Sequence, residues 1–185
     1  MKSDETINPW RTISSREIYD NSWISVREDA VIRPDGEDGI YGVVSFKNIA
    51  IGVLAIEEGF LYLVGQYRYP LGQYSWEIPE GGCAKGEEPL AAARRELEEE
   101  TGLVAKNWKK IGEAFLSNSV SDERAVWYLA TELTQGVSRP DGTEILNVQR
   151  VTIDEAVRMS LSGEITDALS LLAIMRFQLG RNGGG

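Results

Sequence analysis

The stretch that most constrains the fold is GGCAKGEEPLAAARRELEEETGL, residues 81–103, because a glycine-rich loop runs directly into an acidic helical pattern. Pro89 suits the first position of a helix, where its missing N–H is not needed. Gly102 suits the left-handed conformation that ends many helices. The sequence therefore predicts a helix over residues 89–101, preceded by a loop whose backbone can approach a ligand closely.

The acidic side of this predicted helix has two interpretations. At about 100° per residue, Glu96, Glu99 and Glu100 fall on one side of the helix, where like charges repel one another. A solvated acidic face with intrahelical ion pairs is what most runs of charge form. A hard divalent cation would also neutralise the cluster, because such ions take several carboxylate oxygens as ligands. The adjoining glycine loop favours the second interpretation.

The rest of the chain predicts a mixed α/β domain. Helices are expected after the capping residues Thr152 and Thr166, the second one ending at Gly180. Segments rich in β-branched and aromatic residues predict strands on both sides of the acidic helix. These segments are residues 10–31, which form two short strands, and residues 43–46, 49–56, 60–66, 108–115, 125–133 and 145–151.

Composition limits the chemistry that is available. The 19 basic and 29 acidic residues give a net charge of −10, which repels nucleic acids and anionic lipids. There is no histidine and one cysteine, Cys83, so a metal would be held by oxygen ligands, and protons would be moved by carboxylates or by metal-bound water. No apolar run is long enough to span a bilayer, and the N-terminus does not resemble a signal or transit peptide. We therefore expect a cytoplasmic protein.

The nine fixed positions of the Nudix box, G-x5-E-x7-R-E-U-x-E-E-x-G-U with U bulky and aliphatic, all match this sequence. The matching residues are Gly81, Glu87, Arg95, Glu96, Leu97, Glu99, Glu100, Gly102 and Leu103. The upstream segment VGQYRYPLGQYSWEIPEGG and the terminal GEITDALSLLAIMRFQL resemble the ADP-ribose and nucleotide-sugar pyrophosphatase branch of this family. The resemblance covers most of the chain.

This resemblance implies an α/β/α sandwich around a mixed β-sheet, with an N-terminal β extension. The expected boundaries are residues 1–45 for the extension, which belongs to the same unit, 46–181 for the Nudix domain and 182–185 for a disordered tail. The implied reaction is Mg²⁺-dependent cleavage of the diphosphate in ADP-ribose or a related nucleoside diphosphate sugar, with Mn²⁺ as a possible substitute. A homodimer is also implied.

The family also implies roles for single residues. Glu96, Glu99 and Glu100 would be metal ligands, together with a backbone carbonyl near Glu80. Arg95 would orient the glutamates by ion pairing, and Glu87 would brace the loop from behind the ligands.

The general base of this branch lies in a late loop, where Glu144 occupies the matching place. Asp141 lies in the same loop, and either acid could instead be a turn residue without chemistry.

For the substrate, Arg68, Glu80 and Gly81 are the candidate binding residues. Arg68 could bind the phosphates or the terminal sugar through its planar guanidinium, or could form a salt bridge at the rim of the site.

Three alternatives to ADP-ribose hydrolysis stay open. Many ADP-ribose hydrolases of the family carry a proline in the segment after the box, whereas LSNSVSDERAVWYLA, residues 116–130, has none. A different nucleotide sugar, or an oxidised nucleoside triphosphate, could be the substrate. A non-catalytic module that senses a nucleotide is the alternative from another class, although such modules tend to lose box carboxylates.

Overall fold

The computed structural model describes residues 7–136 and 145–182. The chain divides into two compact units, the first made of Met1–Lys47 and Ser117–Glu123 and the second of Asn48–Leu116 and Arg124–Gly185. The sequence-based boundary at residue 45 lies close to this division. That the extension and the Nudix domain work as one unit stays a prediction.

The first unit is an antiparallel sheet of three strands. They are β1 (Arg11–Asp20), β2 (Ile24–Ile32) and β3 (Asp38–Phe46), with β2 in the middle. The side-chain amide oxygen of Asn21 accepts the N–H groups of Trp23 and Ile24 and so closes the predicted turn between β1 and β2. All ten residues of β1 are exposed in the described structure.

The second unit is built on a mixed sheet of seven strands. The strands β5, β4, β9 and β8 follow one another across the sheet, β10 lies beside β5, and β4 and β9 are parallel. In chain order the elements are β4 (Ile49–Glu57), β5 (Phe60–Arg68), β6 (Gln73–Glu77), β7 (Glu80–Cys83), α1 (Pro89–Thr101), β8 (Leu103–Phe115), β9 (Arg124–Gln135), β10 (Asn147–Thr152), α2 (Ile153–Ser162) and α3 (Ala168–Asn182).

Helices cover both faces of this sheet, because the central strands are apolar on both sides. On one face Val53 packs with Leu97 of α1, and on the other Leu54 packs with Met159 of α2 and Leu169 of α3. The predicted sandwich is confirmed.

The acidic helix begins and ends where the sequence predicts. Pro89 is its first residue, and Gly102 follows it with φ 71°, which glycine adopts without strain. Thr152 caps α2 by accepting the N–H of Glu155. Helix α3 continues two residues beyond the predicted end at Gly180, so the predicted tail of residues 182–185 overlaps the helix at Asn182, and residues 183–185 lie outside the described part.

Two strands next to the box were not predicted from the sequence. β6 pairs with β5, and β7 pairs with β4 from Ile49 opposite Cys83 to Gly52 opposite Glu80. The sequence of β7, EGGC, has low intrinsic strand propensity, so its extended form depends on the neighbouring strand. β7 matters for function because it carries the start of the box onto the sheet beside α1.

Candidate active site

The carboxylates of α1 lie partly beneath the backbone of β7. Glu96 and Glu100 are buried, and a carboxylate oxygen of Glu100 accepts the backbone N–H of Glu80 at 3.0 Å. A Cβ atom at Gly81 would lie 2.2 Å from the carboxyl carbon of Glu96, so only glycine leaves room for that side chain. The structure thus brings Glu80, Gly81, Glu96 and Glu100 together, and their roles in metal and substrate binding stay predictions.

Arg95 links the helix to the loop in front of it. Its Nη1 donates to Glu96 at 2.8 Å and to Glu99 at 3.0 Å, while its Nη2 donates to the carbonyl of Gly82 at 2.9 Å. Its remaining hydrogen bonds go to Glu87, at 3.2 and 3.3 Å. One guanidinium therefore orients two of the box glutamates and secures the loop.

Glu87, in the loop before α1, completes this hydrogen-bond network. Its carboxylate accepts the backbone N–H of Ala84 at 3.1 Å in addition to the bonds from Arg95. The hydrogen bond from Arg95 holds the pKa of Glu87 below its ordinary value, so that Glu87 stays ionised and attached to the loop. This is the bracing contact that the sequence analysis assigns to Glu87.

The side chain of Arg68 is held by two acids. Its guanidinium donates to both carboxylate oxygens of Glu77, at 2.9 and 3.0 Å from Nε, and its Nη2 donates to Glu80 at 2.6 Å. The side chain of Glu77 is only 3% exposed, whereas that of Arg68 is 34% exposed. The alternative of a salt bridge is therefore what the structure shows for Arg68. Its role in substrate binding stays a prediction.

Glu80 is a buried carboxyl group with two other carboxylates close to it. Burial and the nearby Asp167 and Glu77 carboxylates raise the pKa of Glu80 well above its ordinary value, although Arg68 opposes the shift. Its Oε2 atom is buried and accepts no hydrogen bond from the described residues. A proton shared with Asp167, or a cation nearby, would each relieve this cost.

The donor chemistry of this region fits a divalent cation. Within residues 7–136 and 145–182 there is no preformed group of three acidic, histidine or cysteine side chains with metal-binding geometry. The side of α1 that carries Glu96, Glu99 and Glu100 nonetheless supplies carboxylate oxygens, the ligands that Mg²⁺ prefers. The close approach of Gly81 leaves room for Glu96 beside β7, and Glu100 lies at the same strand, where it accepts the N–H of Glu80.

Three neighbours of the site were missed in the sequence analysis. Glu77 pairs with Arg68, Asp167 caps α3 by accepting the N–H of Ser170 at 2.6 Å, and the Ser170 hydroxyl accepts the N–H of Ile78 at 2.9 Å. Glu77 stands between Trp76 and Ile78 in the sequence, which is a weak signal for a buried acid that needs a cation. No sequence signal connects Asp167 to Glu80. Glu144 and Asp141 lie outside the described residues.

Two family models together match most of this chain. The NUDIX domain model matches residues 47–171, and the model of the nucleoside diphosphate sugar hydrolase N-terminal domain matches residues 10–44. The chain is 36% identical over 172 residues to the ADP-ribose pyrophosphatase of Bacillus subtilis (strain 168), covering 91% of this chain and 92% of that one.

Two further relatives extend the comparison. An ADP-ribose pyrophosphatase of Mycobacterium tuberculosis is 31% identical over 175 residues, covering 90% of this chain and 82% of that one. A crystal structure of an ADP compounds hydrolase superposes with a TM-score of 0.87 at 18% identity and covers 97% of this chain and 98% of that one. This last likeness supports the fold alone.

Proposed function

This chain belongs to the Nudix hydrolase family, and from that premise we propose that it cleaves ADP-ribose or a related nucleoside diphosphate sugar with the help of Mg²⁺. Hydrolysis of nucleoside diphosphate compounds is the activity of the family branch. The proposal concerns which substrate this chain cleaves and which metal ion it uses. Its products would be a nucleoside monophosphate and a sugar phosphate. The observation that carries it is the pair of buried carboxylates at β7: Glu96 lies against Gly81 and accepts from Arg95, and Glu100 accepts the N–H of Glu80.

The proposed metal ligands are the carboxylates of Glu96, Glu99 and Glu100 and the backbone carbonyl near Glu80. When bound, Mg²⁺ would neutralise charge on the diphosphate and make a water more acidic. Mn²⁺ could replace it, because it accepts the same oxygen ligands. Arg95 would keep Glu96 and Glu99 oriented, as its hydrogen bonds to both already do.

Two further roles belong to the proposal. Glu144 would be the general base that takes the proton of the attacking water. Arg68 would contact the substrate at the edge of the site through the exposed third of its side chain, while its bonds to Glu77 and Glu80 hold it in place. Gly81 would bring its backbone close to the diphosphate.

A homodimer in the cytoplasm is also part of the proposal. In the first unit, β1 is exposed along its whole length, and it carries the apolar residues Ile13 and Ile18. Trp23, just after β1, is 68% exposed. Multi-angle light scattering would test for the dimer.

Among the described residues, no helix combines the length and the apolar character that crossing a bilayer requires.

Product analysis tests the function directly. The protein would be incubated with Mg²⁺ and ADP-ribose, ADP-glucose, GDP-mannose and 8-oxo-dGTP, and the products separated by anion exchange, with an EDTA arm. We expect a nucleoside monophosphate and a sugar phosphate from one of the sugars and none with EDTA. Pyrophosphate from 8-oxo-dGTP alone would indicate the triphosphate alternative. Ligand binding without turnover would indicate the sensing module.

A substitution at Gly81 tests the arrangement of the carboxylates. In Gly81→Ala the new methyl group would displace the Glu96 carboxylate, which is the end of a flexible side chain, so the fold should survive. We expect kcat/KM to fall on the order of 10²-fold, because small misplacements of catalytic groups are costly. Melting temperature and steady-state kinetics are the measurements.

The neighbouring Gly82→Ala is the matched control. The three atoms nearest to its methyl group would all belong to Asn48, with Nδ2 at 2.9 Å. It should keep most of the activity at a similar melting temperature. Equal losses of kcat/KM in both variants would show that the loop as a whole, and not the position of Glu96, is what matters.

A further inference from the structure

A cavity of about 390 Å³ lies between the edge strand β8 and the C-terminal half of α3. Its floor is formed by Ile111, Leu129 and Phe177, which are partly buried and pack against the hydrophobic core. This is the face of the sheet covered by α2 and α3, whereas the box carboxylates lie on α1, which packs on the other face. The cavity is of the size that small-molecule sites have in proteins.

Basic side chains surround this apolar floor. Lys109, Lys110, Arg176 and Arg181 all line the cavity. Lys110 forms an ion pair with Glu113 at 2.6 Å. The other three have no acidic partner among the residues that the structure describes. In a chain with a net charge of −10, this cluster makes a local patch of positive surface charge.

Arg176 is anchored to the backbone at the cavity by one hydrogen bond. Its Nε donates to the backbone carbonyl of Ile111, and its guanidinium lies over Gly112, where a Cβ atom would come within 2.9 Å of that nitrogen. The absence of a side chain at Gly112 is therefore what admits the guanidinium. Its two terminal nitrogens have no partner in the described part of the chain and are available as a fork of donors.

The other two cations complete the wall from different elements. Arg181 lies 6.0 Å from the centre of the Phe177 ring and so presents a guanidinium beside an aromatic surface. The dipole of α3 favours a cation in its last turn, which accounts for the position of Arg181 but not for those of the other cations. It does not explain Lys109, which comes from β8 and points to the same cavity.

We propose that this cavity binds an organic phosphate, with the phosphate between Lys109, Arg176 and Arg181 and an apolar or aromatic group on Ile111, Leu129 and Phe177. A nucleoside monophosphate has this chemistry. Extended polyanions fit less well, because the overall negative charge of the protein repels them while the cavity holds only a small ligand. The proposal does not depend on the substrate proposed above.

Titration with AMP in the presence of EDTA tests the site. Nuclear magnetic resonance of the ¹⁵N-labelled full chain would report the shifted amides, and calorimetry the affinity. We expect shifts at Ile111 and Phe177, and about tenfold weaker binding in Lys109→Glu and in Arg181→Glu, since each reverses a charge on the cavity wall. Shifts confined to β7 and α1 would place AMP at the box instead and would overturn the proposal.

Lys106→Glu is the matched control, because it makes the same charge change on the same strand outside the cavity. It should leave the affinity for AMP unchanged, and all three exposed variants should keep the melting temperature and hydrolysis rate of the parent. If Arg181→Glu does not fold, Arg181→Gln replaces it. Wild-type affinity in both cavity variants would overturn the site. Inorganic phosphate binding as tightly as AMP would overturn its assignment to an organic phosphate.

Discussion

Glu100→Gln is expected to lower kcat/KM by at least about 10³-fold, since a catalytic cation supplies several kcal/mol to the transition state and each tenfold in rate is about 1.4 kcal/mol. The side chain is buried and accepts the N–H of Glu80 at 3.0 Å. The amide oxygen of glutamine can still accept that hydrogen bond, so the fold should persist. What the variant loses is the negative charge that a cation requires.

A measurement without turnover separates this effect from damage to the fold. Mg²⁺ should raise the melting temperature of the parent protein, because a ligand that binds the folded state stabilises it. It should not do so for Glu100→Gln. Glu98→Gln is the matched control, since Glu98 is exposed on the same helix and is not a fixed position of the box. It should keep both the activity and the Mg²⁺ response.

Either of two results would contradict the assigned role. A Glu100→Gln variant that keeps more than about a tenth of the activity would remove Glu100 from the metal ligands. A loss of equal size in Glu98→Gln would show that the net charge of α1, and not a particular carboxylate, determines activity.

Arg68→Met is expected to destabilise the protein by about 3 kcal/mol, as breaking one side of a buried ion pair does. Glu77 would be left with only 3% of its side chain exposed and without the three hydrogen bonds that Arg68 donates to it. The exposed third of Arg68 places the effect at the lower end of the range for buried pairs. Urea unfolding, read as the change in midpoint at constant slope, is the measurement.

The double variant and a surface control make this prediction specific. Adding Glu77→Gln to Arg68→Met should recover much of the stability, because the uncompensated buried charge is then removed. Arg158→Met breaks the exposed pairs with Glu155 and Glu164 and should change stability far less. Equal urea midpoints for Arg68→Met and Arg158→Met would show that the ion pair between Arg68 and Glu77 contributes no more to stability than an exposed ion pair does.

The acidic helix shows how much can be predicted from local sequence. Its start at Pro89 and its end before Gly102 follow from the preferences of single residues for particular backbone angles. The contact of Arg95 with Glu99 also fits helix spacing, because residues four apart lie on the same side of a helix. The strands β4, β5 and β9 were recognisable from their composition, since each is largely buried on both faces.

Other features depended on segments that meet only in the folded chain. β7 is extended because it pairs with β4, and it then covers Glu96 and Glu100, which the sequence placed on a common side of α1 without indicating their burial. The partner of Arg68 could not be predicted from local sequence, because the pairing of β6 with β5 is what places Glu77 against it. The cavity between β8 and α3 likewise joins parts of the chain that no local pattern relates.

The sequence by itself determined the family, the helix that carries the glutamates and the residue types that could hold a divalent cation. These depend on short-range spacing and on the chemistry of single side chains. Only the tertiary structure decided which carboxylates are buried, that Arg68 is the side chain paired with Glu77, and that Asp167 lies near Glu80. Burial and charge pairing are set by whichever elements pack together, and packing brings together residues that are far apart along the chain.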